Sequence, residues 1–195
     1  MTIVNRCDWV QGDEYNIEYH DKEWGVPVHD DKVLFKMLML EGKQAGLSWN
    51  IILKRRKALC LAFDDFLPEK LIHYNEAKVE ELMVTEGVIK SRQKINAVIH
   101  NAKVYYELCE KYGSLDNFLW SYIDNKPIVN SWKTIDQVPA KTELSDRISK
   151  DMKKLGFKYV GSVIVYAYMQ GIGMVNDHLV SCDCYKRCIE VNKGK

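Results

Sequence analysis

Glu41 is the first residue of this chain whose position suggests chemistry as well as packing. Leu34, Leu38 and Glu41 follow one another at i, i+4 and i+7, so the carboxylate continues the apolar stripe of a predicted helix. Burying a carboxylate is costly unless a partner stabilises it. Because most Glu side chains are exposed, the local pattern favours a fraying helix end with Glu41 in solvent. The alternative is a buried carboxylate that binds a ligand.

The residues after this carboxylate predict a turn with an apolar tip. Gly42 and Gly46 are expected to break the helix, and Ser48 is the predicted N-cap of the next one. Leu47 lies at the tip of the turn, and Trp49 follows it closely. A carboxylate, a flexible turn and a large aromatic side chain therefore lie side by side.

Four residues near the two ends of the chain form a second candidate site. They are two thiols and two imidazoles, a closed tetrahedral set suited to a structural zinc ion: Cys7, His20, His178 and Cys182. The last two are spaced i, i+4, which predicts one shared helix face. Cys184 and Cys188 lie close enough in sequence to compete as ligands. The alternative is a group of isolated core thiols with a surface histidine.

The bulk composition is that of an ordinary globular protein, with 195 residues, 47% hydrophobic and 28% charged. No secretory signal and no membrane-spanning run is visible, so the sequence predicts a soluble, cytoplasmic protein that does not bind membranes. In that compartment the six cysteines are expected to be thiols or metal ligands rather than disulfides. The net charge of +1 excludes a uniformly basic surface.

The elements that position these residues are predicted to be helices, with residues 1–29 irregular and residues 126–140 a loop. Capping residues and apolar periodicity predict helix starts at Asp30 or Asp31, Ser48, Asn75, Ser91, Ser114, Ser145 and Ser162. No pair of alternating runs predicts a strand pair. The predicted fold class is all-α.

The segment between the last two of these helices is a candidate site for a polyanion. Gly156 and Gly161 bracket a short turn whose backbone N–H groups can approach a phosphate closely. The helix start at Ser162 adds the positive end of its dipole. Basic residues outnumber acidic ones across residues 141–158. The alternative is an ordinary helical hairpin with a solvated basic face.

Long motifs make the chain resemble a known family. Residues 19–27 read Tyr-His-Asp-x-Glu-Trp-Gly-Val-Pro, and residues 40–49 read Leu-Glu-Gly-x-Gln-Ala-Gly-Leu-Ser-Trp. With the motifs at residues 156–161 and 169–178, they resemble bacterial 3-methyladenine DNA glycosylase I. The similarity extends from about Cys7 to Cys182.

The resemblance implies a two-lobed fold of the helix-hairpin-helix DNA glycosylase superfamily. It implies a single glycosylase domain over residues 1–195, with the hairpin at about residues 145–173. The termini would be tied together by a structural zinc ion on the four Cys and His ligands named above. Cys184 and Cys188 would not be ligands.

The same resemblance implies roles for individual residues. Glu41 matches the catalytic position. The matching base-binding residues are Trp9, Tyr19, Glu41 and Trp49. The matching DNA-binding residues are Gly46, Leu47, Lys158, Tyr159, Gly161 and Ser162. Leu47 is the candidate wedge that fills the gap left by a flipped nucleotide, and plain core packing is the alternative for it.

The implied activity is the hydrolytic release of 3-methyladenine from alkylated double-stranded DNA. The free base would be the product, and the enzyme is expected to be a monomer. No lysine is placed as a Schiff-base nucleophile, so a monofunctional glycosylase without strand cleavage is predicted. Asp177 adjoins a proposed zinc ligand and is interpreted as structural.

One position departs from the family pattern. The family usually has a tyrosine three residues before the one that matches Tyr19, and this chain has Asn16 there. Either Tyr15 takes the place of that tyrosine after a small register shift, or one wall of the pocket is more polar.

Overall fold

Helices make up most of the computed structural model, which describes residues 5–10 and 12–193. They are α1 (Glu14–Lys22), α2 (Asp31–Gln44), α3 (Trp49–Ala62), α4 (Pro68–Leu71), α5 (Glu76–Val84), α6 (Arg92–Tyr112), α7 (Leu115–Trp120), α8 (Glu143–Leu155), α9 (Ser162–Gly171) and α10 (Asp183–Lys193). Among these residues no helix is long and apolar enough to cross a membrane.

Helix α2 lies at the centre of the molecule because it is apolar on nearly every side. All residues from Leu34 to Glu41 except Lys36 are buried, and a helix that is apolar all round must be enclosed by others. It packs against α3, α6, α7 and α9. The Tyr168 hydroxyl of α9 donates to the Leu34 carbonyl at 2.9 Å, which joins the two helices inside the core.

Helix α1 corrects the prediction that residues 1–29 are irregular. Asp13 caps the helix by accepting from the Tyr15 N–H. Its buried face consists of Asn16, Tyr19 and His20, at i, i+3 and i+4. The sequence pattern missed this helix because its buried face is aromatic and polar rather than aliphatic.

Helix α2 also continues two residues beyond Gly42, where a break was predicted. Gly42 lies inside the helix at the point where Tyr159 packs against it, and a Cβ added at Gly42 would lie only 3.3 Å from the Tyr159 Cβ. The helix ends at Gln44, the backbone leaves the helical conformation at Ala45 (φ −45°, ψ 114°), and Gly46 follows with φ +77°. Lys94 of α6 donates to the carbonyls of Lys43 and Ala45 at 2.8 and 2.6 Å and closes the helix end.

A short parallel strand pair was not predicted. Strand β1 (Ile128–Val129) lies in the segment expected to be a loop, and it pairs with β2 (Val175–Asn176). Strands this short have no visible period, so only the partner segment defines them.

Two predicted caps differ from the structure in their chemistry. Thr142 rather than Ser145 is the N-cap of α8, and Ser145 is the third helical residue of a capping box with it. Ser48 does stand at the N-cap of α3, but its side chain makes no capping hydrogen bond.

Candidate functional site

A cleft of about 310 Å³ lies where the end of α2 meets α1, the start of α3 and α9. Ile135 and residues 138–140 also line it. The residues of this cleft that carry polar groups or rings are Trp9, Tyr19, Trp24, Glu41, Gln44, Trp49, Tyr166 and Gln170. The structure therefore brings together all four residues matched to base binding.

Glu41 is buried in this cleft, so the local interpretation of an exposed side chain is wrong. It is 2% exposed, and its Oε2 atom has no hydrogen-bond partner among the described residues. Burial raises the pKa of Glu41 to about 8. An unsatisfied buried carboxylate in a cavity indicates a ligand that supplies the missing donor or charge.

The aromatic walls of the cleft add two hydrogen-bond donors to this acceptor. The Nε1 atoms of Trp9 and Trp49 are both buried without a partner among the described residues. Tyr19 is 3% exposed, and its ring centroid lies 5.3 Å from that of Trp49. The cleft thus offers π faces, two indole N–H groups and one carboxylate to a flat, polar guest.

Gly171 at the end of α9 lets this helix pack closely against two residues of the cleft, Tyr19 and Glu41. A Cβ at this position would lie 2.8 Å from the Tyr19 hydroxyl oxygen and 3.6 Å from Glu41 Oε1. Only glycine lets α9 approach α1 and α2 this closely. Residues 169–178 were noted as a motif, but nothing in their local pattern indicates this contact.

The four predicted metal ligands meet in one buried cluster. Their ligand atoms all lie within 4.8 Å of one another. The Cys182 Sγ lies 3.5 Å from both His20 Nε2 and His178 Nδ1, and the Cys7 Sγ lies 3.6 Å from His178 Nδ1. Tetrahedral bonds of about 2.3 Å to sulfur and 2.0–2.1 Å to nitrogen place these atoms about 3.6 Å apart. This cluster can hold a metal ion.

Neighbouring groups orient both imidazoles toward the centre of the cluster. The His20 Nδ1 lies 2.8 Å from Asp21 Oδ1, and the His178 Nε2 lies 2.9 Å from the Trp24 carbonyl oxygen. Each ring therefore points its other nitrogen at the thiols, as in metal sites with a supporting hydrogen bond. His178 and Cys182 lie in the connection between β2 and α10, so the predicted shared helix face is wrong.

The two thiols considered as competing ligands, those of Cys184 and Cys188, stay outside this set of four. Cys184 Sγ lies 3.9 Å from His20 Nδ1, the nitrogen that faces Asp21. Cys188 Sγ lies 3.9 Å from the Trp24 carbonyl oxygen. The cluster also adjoins the cleft, because the Trp9 and Trp24 rings lie 5.4 and 4.6 Å from the rings of His20 and His178.

The 45–48 turn and the 156–161 hairpin lie on the same side of the molecule as the end of α2. Gly46 is exposed at the tip of the turn, and Leu47 is partly buried. Tyr159, with φ +57°, packs on Gly42. The Asn101 side chain accepts from the Lys158 N–H at 2.8 Å and donates to the Lys158 carbonyl at 3.1 Å, which leaves the Lys158 side chain exposed.

The start of α9 offers backbone donors beside this hairpin. Gly161 is its N-cap and Ser162 its first residue, and the first N–H groups of a helix have no partner within it. The Ser162 hydroxyl donates to Asp146. Any contact that Ser162 makes with an anion would therefore use its backbone N–H.

Residues 9–186 of the chain match the model of a protein family described as methyladenine glycosylase. The chain belongs to this family. It is 44% identical to DNA-3-methyladenine glycosylase 1 of Escherichia coli (strain K12), in an alignment that covers 93% of this chain and 97% of that protein.

Two solved structures of methyladenine glycosylases have the same fold. A crystal structure of a 3-methyladenine DNA glycosylase I has a TM-score of 0.90 at 42% identity and covers 93% of this chain and 100% of that one. A structure on 3-methyladenine recognition by the Staphylococcus aureus enzyme has a TM-score of 0.90 at 35% identity, covering 93% and 96%. The family resemblance and the enzyme class, a DNA glycosylase of base-excision repair, are confirmed.

Behind one wall of the cleft of this glycosylase lies a second buried carboxylate. Asp177 accepts four hydrogen bonds, at 2.6–2.7 Å, from side chains in two parts of the chain, the segment after β1 and helix α9: Asn130, Trp132, Tyr166 and Gln170. Two of these donors, Tyr166 and Gln170, line the cleft. Asp177 thus has no free acceptor for a substrate, in agreement with its structural interpretation.

The structure bears on one of the two alternatives at the position where this glycosylase departs from the family pattern. Tyr15 is 44% exposed and lines an outer groove between α1 and α3, so it does not take the place of the missing tyrosine. Asn16 is buried on the face of α1 that also carries Tyr19. Asn16 itself does not line the cleft, so a more polar pocket wall stays a prediction.

Proposed function

We propose that this glycosylase flips 3-methyladenine out of alkylated double-stranded DNA and hydrolyses its glycosidic bond. The observation that carries the proposal is the buried carboxylate of Glu41 in an aromatic cleft, whose Oε2 atom has no hydrogen-bond partner in the part of the chain that the structure describes. N3-methylation makes adenine cationic within DNA. The guest would supply both the charge and the donor that Glu41 lacks.

The chemistry requires little help because the substrate is already activated. When the C1′–N9 bond breaks, its electron pair goes to the ring and the cationic base leaves neutral. Water then adds to the oxocarbenium-like sugar and loses a proton. The enzyme needs to extrude the nucleotide, hold the cation and admit water.

Selection against normal adenine would come from the charge in the cleft. Trp9, Tyr19 and Trp49 offer faces to a cationic ring, at about 0.5–2 kcal/mol for each well-placed contact. Glu41 would accept from the exocyclic amine and would be the catalytic residue. Its raised pKa means that a cation is needed to hold the carboxylate in its charged form, whereas a neutral base provides no such stabilisation.

The surrounding surface would hold the duplex while one nucleotide is extruded. Leu47 at the 45–48 turn would occupy the gap in the stack, with Gly46 close to the backbone. Lys158, Tyr159, Gly161 and Ser162 would grip phosphates through one side-chain charge and the N–H groups at the start of α9. This is the helix-hairpin-helix mode of binding, here within a single domain spanning residues 1–195.

The release of a base without strand cleavage agrees with the residues of the cleft. No lysine lines it among the described residues. Lys43 is the nearest in sequence to Glu41, but its Nζ lies over the Phe63 ring at 4.0 Å from the ring centroid. A monomer acting on DNA is the simplest assembly, and in a bacterium its substrate lies in the cytoplasm.

The Cys and His cluster would hold a structural Zn²⁺ on Cys7, His20, His178 and Cys182. Four protein ligands complete a tetrahedron, so no coordination position would remain for water or substrate. The ion would fix the first residues of the chain to the β2–α10 connection and thereby hold Trp9, two residues beyond Cys7, in the cleft wall.

The experiment for the activity is release of free bases from methylated duplex DNA, with products identified by chromatography. Release of 3-methyladenine with intact strands supports the proposal. Binding of DNA without release of any base would instead support a non-catalytic DNA-binding module. Strand nicking would contradict the monofunctional mechanism.

The experiment for the metal is elemental analysis of the purified protein. We expect one zinc ion per chain, and chelation should lower the melting temperature and reduce the base release. A fully active protein that contains no metal would contradict a structural zinc.

A further inference from the structure

A groove of about 470 Å³ borders the 45–48 turn and is separate from the cleft that holds Glu41. We call it the side groove. It is formed by Leu47, Ile51 and Arg55 on one side and by residues 86–90, between α5 and α6, on the other. Leu47, Ile51 and Arg55 follow one another at i, i+4 and i+8, so one face of α3, extended by Leu47 just before it, lines one side of the groove. Ile51 is 37% exposed there.

Two cations of the side groove make no ion pair or hydrogen bond within residues 5–10 and 12–193. They are Arg55 and Lys90, and both are exposed. Their neighbours on α3 are different, because Lys54 and Arg56 each bind a carboxylate, at 2.6 and 2.7 Å. Glu86 is the single acidic residue among those that line the groove. The groove is therefore apolar at its floor and carries a positive excess at its rim.

The contacts of α6 place the side groove and the hairpin on opposite sides of the 45–48 turn. Lys90 lies just before α6 and lines the groove. One turn into the helix, Lys94 binds the carbonyl of Ala45 at 2.6 Å. Further along, Asn101 binds the backbone of Lys158 in the hairpin. At 1.5 Å per residue, the start of α6 at Arg92 and Asn101 are separated by about 14 Å along the helix axis.

We propose that the side groove binds the sugar–phosphate backbone of the complementary strand, opposite the flipped nucleotide. The proposal rests on the proposed function, in which the hairpin holds the damaged strand and Leu47 enters the stack. When the Leu47 side chain enters the stack, one DNA strand lies on each side of the 45–48 turn. The hairpin holds the damaged strand on one side, and the side groove lies on the other side, where the complementary strand passes. Arg55 and Lys90 pair with its phosphates, while Ile51 contacts the apolar face of a sugar.

The decisive experiment compares double- and single-stranded DNA. The probe is a short labelled duplex with one abasic-site analogue, together with its labelled strand alone, and the Kd is measured by fluorescence anisotropy at several salt concentrations. For the double variant Arg55→Ala/Lys90→Ala we expect about a tenfold higher Kd for the duplex. Its salt slope should fall by about 1.8, since each lost phosphate contact removes about 0.9. The Kd for the single strand should stay within about twofold.

A matched control removes the same charge from the same parts of the chain. Lys57 of α3 and Lys103 of α6 are exposed and line neither the side groove nor the cleft. The variant Lys57→Ala/Lys103→Ala should therefore bind the duplex nearly as the unchanged protein does. Glu86→Gln removes the one repulsive charge and should tighten duplex binding about two- to threefold.

The outcomes separate this proposal from the proposed function. Two results would overturn the side groove as the site of the complementary strand. One is an equal rise in the duplex Kd for the groove variant and its control, and the other is an equal rise in the Kd of the groove variant for the duplex and for the single strand. At saturating DNA the groove variant should release 3-methyladenine at the unchanged rate, with only the KM raised. If the unchanged protein releases no base at all, the proposed function fails, yet the binding comparison still decides the groove.

Discussion

The two buried carboxylates near the cleft differ in almost every respect except burial. Glu41 at the end of α2 is 2% exposed and has an unpartnered Oε2 among the described residues. Asp177 after β2 is 1% exposed and accepts four hydrogen bonds. A saturated carboxylate holds its donors in place, whereas an unsatisfied one is available to a ligand. The number of hydrogen-bond partners, more than burial, therefore distinguishes Asp177, which positions other side chains, from Glu41, which can bind a ligand.

A third buried charge shows that an unsatisfied group need not be functional either. Lys43 is 1% exposed, and its Nζ also has no hydrogen-bond partner in the described part of the chain. Burial, with the nearby charge of Lys94, lowers its pKa to about 7. However, Lys43 faces the Phe63 ring rather than a cavity of useful size. The cavity that Glu41 faces is therefore the observation that assigns it to the site.

Removal of the Asp177 carboxylate, which accepts four hydrogen bonds, should have the largest effect on stability. Asp177→Ala leaves four donors unpaired, at about 1–3 kcal/mol for each one that stays buried. We expect the free energy of unfolding to fall by about 4 kcal/mol or more in urea denaturation. Zinc content must be measured alongside, because His178 is adjacent. A loss below about 1 kcal/mol at unchanged metal content would contradict the role of Asp177 in positioning Tyr166 and Gln170.

Glu41→Gln should separate stability from activity. The amide keeps the shape of the side chain but removes the negative charge, so kcat/KM for 3-methyladenine release should fall about 100-fold, or about 2.7 kcal/mol. Because the amide does not have to be buried as a charge, the variant should melt at a temperature equal to or above that of the unchanged protein at pH 8. Loss of both activity and stability would identify Glu41 as a structural residue.

The pH dependence of the reaction should follow the ionisation of Glu41. If the carboxylate is the active form, kcat/KM should rise about tenfold per pH unit below pH 8 and level off above it. Burial and the charge of Glu41 raise the pKa of the neighbouring Tyr19 above its usual value, so this phenol does not titrate in that range. The rise should be absent in Glu41→Gln. A flat profile for the unchanged protein would show that Glu41 is ionised throughout.

The same pKa shift predicts a stability profile for Glu41. Because the pKa of Glu41 is raised on folding, its unfavourable contribution is absent below about pH 4.5 and grows as the pH rises to about 8. The stability gain of Glu41→Gln over the unchanged protein should therefore increase across that window. Urea denaturation at several pH values measures it.

Lys43→Met should have the smallest effect. Its pKa is lowered on folding, so the cost of burying the charge is complete below about pH 7 and disappears as the pH rises toward 10.5. We expect a stability gain of about 1–2 kcal/mol at pH 6 that shrinks at higher pH. Base release should not change, since Lys43 does not line the cleft. A large loss of activity would contradict the contrast drawn with Glu41.

Local patterns in the sequence were sufficient for most of the framework. Helical periodicity placed Glu41 on the same face as Leu34 and Leu38, and glycine and serine marked most helix boundaries, because both signals depend on neighbours within a few residues. The long motifs identified the family, and the residue types of the four Cys and His ligands indicated a metal site.

Tertiary structure decided what each of these residues touches. The β1–β2 pair and the close approach of Gly171 to Tyr19 join segments far apart in the chain, and the aromatic and polar face of the helix at Glu14–Lys22 is recognised as buried only in the folded protein. Glu41 and Lys43 are two residues apart and are both buried, yet one faces a cleft and the other an aromatic ring. Periodicity reports which side of a helix is apolar, but only packing between distant elements determines whether a buried charge meets a partner, a cavity or neither.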